Sequence, residues 1–329
     1  MKTLALFNNK GGVGKTTLTF HLGRMLARQG TRTLMVDCDP QCNLTAAVVG
    51  EDDLEDLWER SEAPGRTVAS CVELVRRGRG DIQEPEPREV DDRLFILPGE
   101  LSLSLFEQTL AEEWAKIRSS QSWERAIDVT SALDRLVRLA GRQVNAEVAL
   151  FDVGPSLGAL NRAVLVACDR IAVPLAPDIF SLQGLRNLGP TTRGWREDWH
   201  GALEARRQQL QPEIASREMR PIGYIVQQHL ARADRPVEGY QKWVRRIPGD
   251  YRKFVLELPD DDVPDVVKDP QCIGFIKHFS SLVPLAQVAR KPVFDLKQAD
   301  GIGGGQVQAV ARARQTFEAL ATEIKRRLP

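Results

Sequence analysis

The chain of 329 residues is long enough to bury a substantial core, as one large domain or two average ones. Its 45 lysines and arginines balance 45 aspartates and glutamates, so nucleic-acid binding would need a local basic patch. The five cysteines form no C-x-x-C pair, and no cationic and then apolar leader opens the sequence, which predicts a reduced, cytoplasmic protein. No uninterrupted apolar run approaches about 18 residues, so a membrane span is excluded.

Short β-branched or Leu-rich runs alternate along the chain with longer segments of helical periodicity. The predicted strands are 3–8, 32–37, 93–97, 147–152, 170–174, 221–227 and 271–278. The predicted helices are 15–29, 122–140, 182–188 and 306–327. This alternation predicts an α/β fold in which a mostly parallel sheet carries helices on both faces.

Two polar stretches are predicted to lie outside this core. Residues 51–92 are acidic at both ends and rich in turn formers, and residues 189–220 are rich in Arg and Gln. The candidate site residues lie on both sides of the first stretch, so it is not expected to be a separate domain. We therefore predict one domain, 1–329, with insertions near 51–92 and 189–220.

A glycine-rich loop follows the first predicted strand, in the stretch "NNKGGVGKTT" at 8–17. Asn9 stands where the pattern G-x-x-x-x-G-K-[ST] has its first glycine, and Lys10 stands where that pattern asks for no lysine. Loop N–H groups and the start of the next helix would point at a phosphate, with Lys15 on the β- and γ-phosphates and Thr16 on Mg²⁺. The candidate phosphate-binding residues are Gly11, Gly12, Val13, Gly14, Lys15, Thr16 and Thr17.

The stretch "KGGVGKTT" resembles the deviant Walker A motif of the ParA/MinD group of ATPases, and Lys10 matches the signature lysine of that family. The resemblance implies a P-loop NTPase fold and a homodimer that sandwiches two ATP molecules. It also implies that Lys10 reaches across this dimer to the phosphates of the partner, as an arginine finger does in other P-loop enzymes.

Four further stretches resemble the same family: "RIAVPLAPDIFSLQGLRNL" at 170–188, which carries no assigned site residue, and three others that do. From "TLMVDCDPQCNLT" at 33–45, the resemblance implies that Asp39 positions the attacking water while Asp37 supports the metal and Lys15. From "EVALFDVGPSLGALN" at 147–161, it implies that Asp152 holds Mg²⁺ through water. Gly154 departs from the family, which usually has proline at that place.

The third stretch, "HFSSLVPLAQVARKPVFDL" at 278–296, resembles the late family loop whose backbone flanks adenine, near Pro284 in this chain. Gln227, at the end of a predicted strand, is also assigned to the nucleotide site. The predicted ligands are therefore ATP and Mg²⁺.

The best nucleic-acid candidate is "YQKWVRRIPGDYRKF" at 240–254, where basic residues alternate with aromatic ones. Such a patch can grip phosphates without reading bases. The alternative is an amphipathic surface helix whose aromatic side chains pack inward and whose charges are solvated. The basic residues concerned are Lys242, Arg245, Arg246, Arg252 and Lys253.

The resemblance implies a slow ATPase whose ATP-bound dimer binds nonspecific DNA and is stimulated by a ParB-like or other adaptor protein. Its output would be DNA partition or the positioning of a cargo. The alternative is an ATP-gated dimer that switches a partner effector or regulator, for which DNA is incidental. Neither function involves a membrane.

Overall fold

The computed structural model describes residues 1–59, 64–211, 214, 216–228, 237–259, 263–277, 279 and 281–328. The strands within these residues are β1 (Lys2–Leu6), β2 (Thr33–Asp37), β3 (Arg88–Asp91), β4 (Leu94–Leu97), β5 (Val148–Asp152), β6 (Arg170–Leu175), β7 (Arg220–Gln228) and β8 (Cys272–Lys277). They form a single sheet in the order β3-β4-β2-β5-β1-β6-β7-β8, and every neighbouring pair except β3 with β4 is parallel. The predicted α/β fold is confirmed.

Helices cover both faces of the sheet, because successive side chains of each strand point to opposite faces. The helices are α1 (Lys15–Arg28), α2 (Asn43–Val48), α3 (Glu51–Glu59), α4 (Val68–Arg77), α5 (Ser104–Trp114), α6 (Trp123–Gln143), α7 (Ala159–Val166), α8 (Ile179–Glu204), α9 (Val237–Val244), α10 (Ile247–Asp250), α11 (Val283–Ala289) and α12 (Gly305–Arg327). In β1, Leu4 and Leu6 pack with α1, α11 and α12, whereas Ala5 packs with α4 to α8 on the other face. None of the helices in the described ranges is long and apolar enough to cross a bilayer.

The stretch 51–92 is not wholly outside the core, and that prediction is wrong for its second helix. Val68, Val72 and Val75 of α4 are buried in the main hydrophobic cluster. The helix begins there because Thr67 and Ser70 form a reciprocal capping box. The stretch also supplies β3, an edge strand with the mostly charged sequence REVD, which the sequence analysis missed.

Helix α8 continues well past its predicted end at residue 188, so half of the stretch 189–220 is helical. Pro190 inside the helix misled the prediction, because proline lacks the N–H that continues the helical ladder. Near Pro190, the Thr192 hydroxyl donates to the carbonyl of Leu188 at 2.8 Å. The far end of α8 carries the buried residues Trp199, Ala202 and Leu203, which explains why it is packed rather than solvated.

Candidate nucleotide site

The parallel strands place their carboxyl ends at one edge of the sheet, where the glycine-rich loop leaves β1 and enters α1. Gly14 precedes α1 with φ 75°, a left-handed conformation that a residue with a Cβ adopts only with strain. A Cβ there would also lie 3.1 Å from the side-chain amide nitrogen of Gln227. The predicted residue Gln227 therefore lies against the loop from the end of β7.

A cleft of about 660 Å³ opens above this loop. The predicted residues that line it are Gly11, Gly12, Gly14, Lys15, Thr16, Thr17 and Asp39. The lining residues that the sequence analysis missed are Phe20, His21, Gln41, Asn43, Ala46, Ala47, Val153, Pro155, Val283, Ala286, Gln287, Lys291 and Val293. Most of them lie within the stretches that resemble the family, at 33–45, 147–161 and 278–296, whereas Phe20, His21, Ala46 and Ala47 could be recognised only from three-dimensional proximity.

Lys15 is buried at the base of the cleft, and its ammonium group faces backbone oxygens. Its Nζ donates to the carbonyl of Asn8 at 3.1 Å and to that of Lys10 at 3.3 Å. Burial lowers the pKa of Lys15, and the negative charges of Asp152 and Asp39 oppose this effect. The cation thus lies within reach of the loop, where phosphate oxygens could replace the carbonyls.

Asp37 and Asp152 end neighbouring strands and are register partners, yet their environments differ. Asp37 accepts hydrogen bonds from the backbone N–H and hydroxyl of Thr45, at 2.8 and 2.6 Å, and from the N–H of Asp39 at 3.2 Å. Both carboxylate oxygens of Asp152 are buried, and the Thr16 hydroxyl is the side-chain donor that approaches them. Burial, with the charge of Asp37, raises the pKa of Asp152 to about 8.

An uncompensated buried carboxylate is costly unless a cation is nearby. Asp152 therefore fits a Mg²⁺ site, with Thr16 on the adjoining loop. The predicted metal role of Asp37 does not fit as well, because its oxygens are already used as acceptors by Thr45 and Asp39. Burial raises the pKa of Asp37 to about 6, and the hydrogen bonds from Thr45 oppose that rise.

Asp39 lines the cleft, and its Oδ1 accepts a hydrogen bond from the backbone N–H of Gln41 at 3.0 Å. Gly154, the departure from the family pattern, faces this carboxylate. A Cβ at Gly154 would lie 3.4 Å from Asp39 Oδ1, which is an ordinary contact. Gly154 therefore leaves space next to Asp39, although a residue with a Cβ would also fit there.

Lys10 does not line the cleft; its ammonium group pairs with Asp178, just before α8. Asp178 also caps α8, because its other oxygen accepts from the N–H of Ser181 at 2.9 Å. Phe180, whose ring centre lies 6.0 Å from Lys10 Nζ, is 71% exposed. In this single chain Lys10 is thus held at the surface beside an exposed aromatic ring.

Pro284 is on α11 but does not line the cleft, contrary to the prediction. Its neighbours Val283, Ala286 and Gln287 do, together with Lys291, whose Nζ pairs with Asp300 at 2.7 Å. The predicted segment therefore reaches the cleft, although Pro284 itself does not line it. Val13 is buried beneath the loop and also lies outside the lining.

In the segment 240–254, aromatic side chains pack inward, as the amphipathic alternative predicts, while most of the basic side chains are exposed. Tyr251 is buried, packs edge-on against Tyr224, and belongs to a π-helix at Tyr251–Val255. Trp243 is half-buried, with Lys242 and Arg246 over its ring at 5.1 and 5.4 Å. The side chains of Lys242, Arg245, Arg246 and Lys253 are exposed, whereas Arg252 is half-buried and fits the predicted surface less well.

Among known protein families, residues 1–204 match the one described as AAA domain. The chain is 30% identical over 202 residues to the chromosome-partitioning ATPase Soj of Treponema pallidum, covering 61% of this chain and 68% of that protein. It is 29% identical over 205 residues to the chromosome partitioning protein ParA of Caulobacter vibrioides, covering 62% and 67%. The fold is similar to that of protein DIP2308 from Corynebacterium diphtheriae, with a TM-score of 0.71, 23% identity, and 100% and 99% of the two chains covered.

Proposed function

Because the chain belongs to the ParA/MinD family of P-loop ATPases, we propose that it binds ATP with Mg²⁺ in the cleft and hydrolyses it to ADP and phosphate. The observation that carries the proposal is the position of Asp152, a buried carboxylate at the end of β5, next to Thr16 of the glycine-rich loop that lines the cleft. Both groups lie at the carboxyl edge of the sheet, where open α/β sheets bind ligands.

The scheme assigns roles to the loop and to Lys15, Thr16, Asp39 and Asp152. The loop N–H groups of 11–16 and the start of α1 hold the phosphates, and Lys15 moves from its backbone acceptors to the phosphate oxygens. Thr16 and Asp152 would hold Mg²⁺, which neutralises charge developing on the phosphates when bound. Asp39, fixed by the N–H of Gln41, orients the attacking water.

We also propose that ATP binding produces a sandwich homodimer in which Lys10 contacts the phosphates of the partner. Lys10 lies outside its own cleft, so it is placed to act on a second molecule rather than on its own ATP. It must first leave Asp178, which would keep turnover slow until the dimer or an adaptor protein favours release.

Calorimetry with MgATP tests the site. Lys15→Ala should abolish binding with the fold preserved by circular dichroism, because the loop loses its buried cation. Asp39→Ala is the matched control: it should bind ATP normally and lose phosphate release in a turnover assay. Undiminished affinity in Lys15→Ala would remove the assignment, and wild-type turnover in Asp39→Ala would transfer the water-positioning role to another residue.

The output that we propose is positioning on DNA, through the exposed basic residues around Trp243. The ATP-loaded Asp39→Ala protein should bind unrelated duplexes equally, with affinity that falls steeply as salt rises, and the ADP form should not bind. Reversing Arg245 and Arg246 to Glu should weaken all duplexes alike while ATP binding survives. An ATP dimer that ignores DNA at low salt would favour the effector switch instead.

A further inference from the structure

The cleft has two ends that come from distant parts of the chain. The P-loop at 11–16 would hold the phosphate end, and the ribose and base of a bound nucleotide can extend toward the wall formed by α11, Lys291 and Val293. This far wall is separated from the loop by more than 260 residues of sequence. Contacts that fix the far wall relative to the loop therefore determine how well the cleft fits a base.

His21 makes such a contact through both of its ring nitrogens. Its Nδ1 lies 2.7 Å from the carbonyl oxygen of Thr17, on the first turn of α1, and its Nε2 accepts from the backbone N–H of Val293 at 3.0 Å. The Thr17 carbonyl needs a donor and the Val293 N–H needs an acceptor, so the imidazole is neutral and protonated at Nδ1. Thr17 and Val293 both line the cleft, on opposite sides of the ring.

Packing holds the imidazole in this bridging position. The ring of Phe317, on α12, stacks on it with centroids 4.8 Å apart and an interplanar angle of 20°. Phe20 and Phe294 meet it edge-on, at 5.3 and 5.8 Å. The side chain is buried, so neither hydrogen bond can be replaced by bulk water.

We propose that His21 is a positioning residue that joins the far wall to the P-loop and thereby sets the affinity of the cleft for the nucleoside half of ATP. It acts through Val293 and does not touch the phosphates. The inference rests on the proposed function, since it takes ATP as the occupant of the cleft.

Two amide substitutions separate the two hydrogen bonds. In His21→Gln the amide can occupy the place of Nε2 and accept from Val293, whereas in His21→Asn it can occupy only the place of Nδ1 and contact Thr17. His21→Asn should therefore bind MgATP about tenfold more weakly than His21→Gln, because the buried N–H of Val293 loses its acceptor. In turnover, KM should rise with kcat unchanged.

Inorganic triphosphate with Mg²⁺ is the matched probe, because it engages the P-loop and lacks a base. Its inhibition constant in the ATPase assay should be the same in both variants. Equal ATP affinity in the two variants, or an equal fall in triphosphate affinity, would overturn the inference. A wild-type protein that does not bind ATP would instead remove the proposed function.

A further measurement needs no substitution. In protein labelled with ¹⁵N-histidine, the His21 spectrum should show protonated Nδ1 and acceptor Nε2 at neutral pH, and ATP should shift the Nε2 resonance more than triphosphate does. Equal shifts from the two ligands would also overturn the inference. Phe317→Leu, which removes the stacked ring but leaves both hydrogen bonds, should preserve the ratio of ATP to triphosphate affinity; a changed ratio would assign the effect to packing.

Discussion

The buried imidazole of His21 makes the stability of the protein depend on pH in a predictable direction. Burial lowers the pKa of His21 from its usual 6.5 to about 4, because the folded state disfavours the charged ring. The positive charge of Arg24 acts in the same direction. As pH falls below 6.5 the unfolded chain takes up a proton that the folded chain refuses, so stability is complete above 6.5 and is lost toward pH 4.

The size of the effect follows from the two pKa values. Between pH 7 and pH 5 the free energy of unfolding should fall by about 2 kcal/mol through His21 alone. Asp37 and Asp152 oppose this, since their raised pKa values let the folded state bind protons and gain stability as pH falls. The pH dependence of the wild-type protein alone therefore does not isolate the contribution of His21 to the free energy of unfolding.

The measurement is urea unfolding by circular dichroism at pH 7 and pH 5, without nucleotide, for wild type and His21→Gln. The variant lacks the titrating ring and keeps an acceptor for Val293, so the opposing carboxylates cancel in the difference between the two proteins. The wild type should lose about 2 kcal/mol more than the variant over this range. Identical pH dependence in the two proteins would refute the reasoning.

Two further predictions concern α8. Asp178→Asn keeps an N-cap but loses the ion pair to Lys10, so sedimentation should show tighter ATP-dependent dimerisation; unchanged dimerisation would show that the pair does not restrain Lys10. Gly189→Ala should destabilise the protein by about 2 kcal/mol or more in urea unfolding, because its Cβ would lie 1.8 Å from the carbonyl oxygen of Phe254. Gly194→Ala on the same helix, where a Cβ meets nothing within 4 Å, is the control, and an equal loss there would point to the helix rather than the contact.

The central strands were predictable because burial on both faces of a parallel sheet selects continuous apolar runs. β2, β5 and β6 are buried along their whole length and lie where those runs predicted them. β3 carries the charged sequence REVD and is ordered by antiparallel pairing with β4. Because β3 is a strand only through its pairing with β4, its local composition does not predict it.

The missed half of α8 has a different cause. Gly189 and Pro190 are individually poor helix residues, and a local reading ends the helix before them. The structure keeps the helix because its glycine admits the backbone of Phe254 and its far end buries Trp199. Tertiary packing therefore overrides the local preference at this point.

The site residues also differ in how far local sequence predicts them. Residues contiguous with the loop, from Gly11 to Thr17, could be located because phosphate binding needs a fixed local spacing. The far wall could be assigned only to a segment: which side chains of α11 enter the cleft depends on how that helix is rotated, and Pro284 turned outward. His21 gave no signal at all, because its role depends on Val293 being brought to it.

The two strand-end aspartates show most clearly what sequence cannot decide. Asp37 and Asp152 are the same residue type. Each ends an apolar strand, and the two lie side by side in register. Thr45, which begins no motif, supplies two hydrogen bonds to Asp37 and none to Asp152. Asp37 is therefore occupied as an internal support for the Asp39 loop, whereas Asp152 keeps the oxygens that we propose for Mg²⁺. On this proposal the hydrogen-bond donors around each carboxylate determine which one binds the metal, so Thr45→Val, which removes the hydroxyl donor to Asp37, should make the two aspartates more alike.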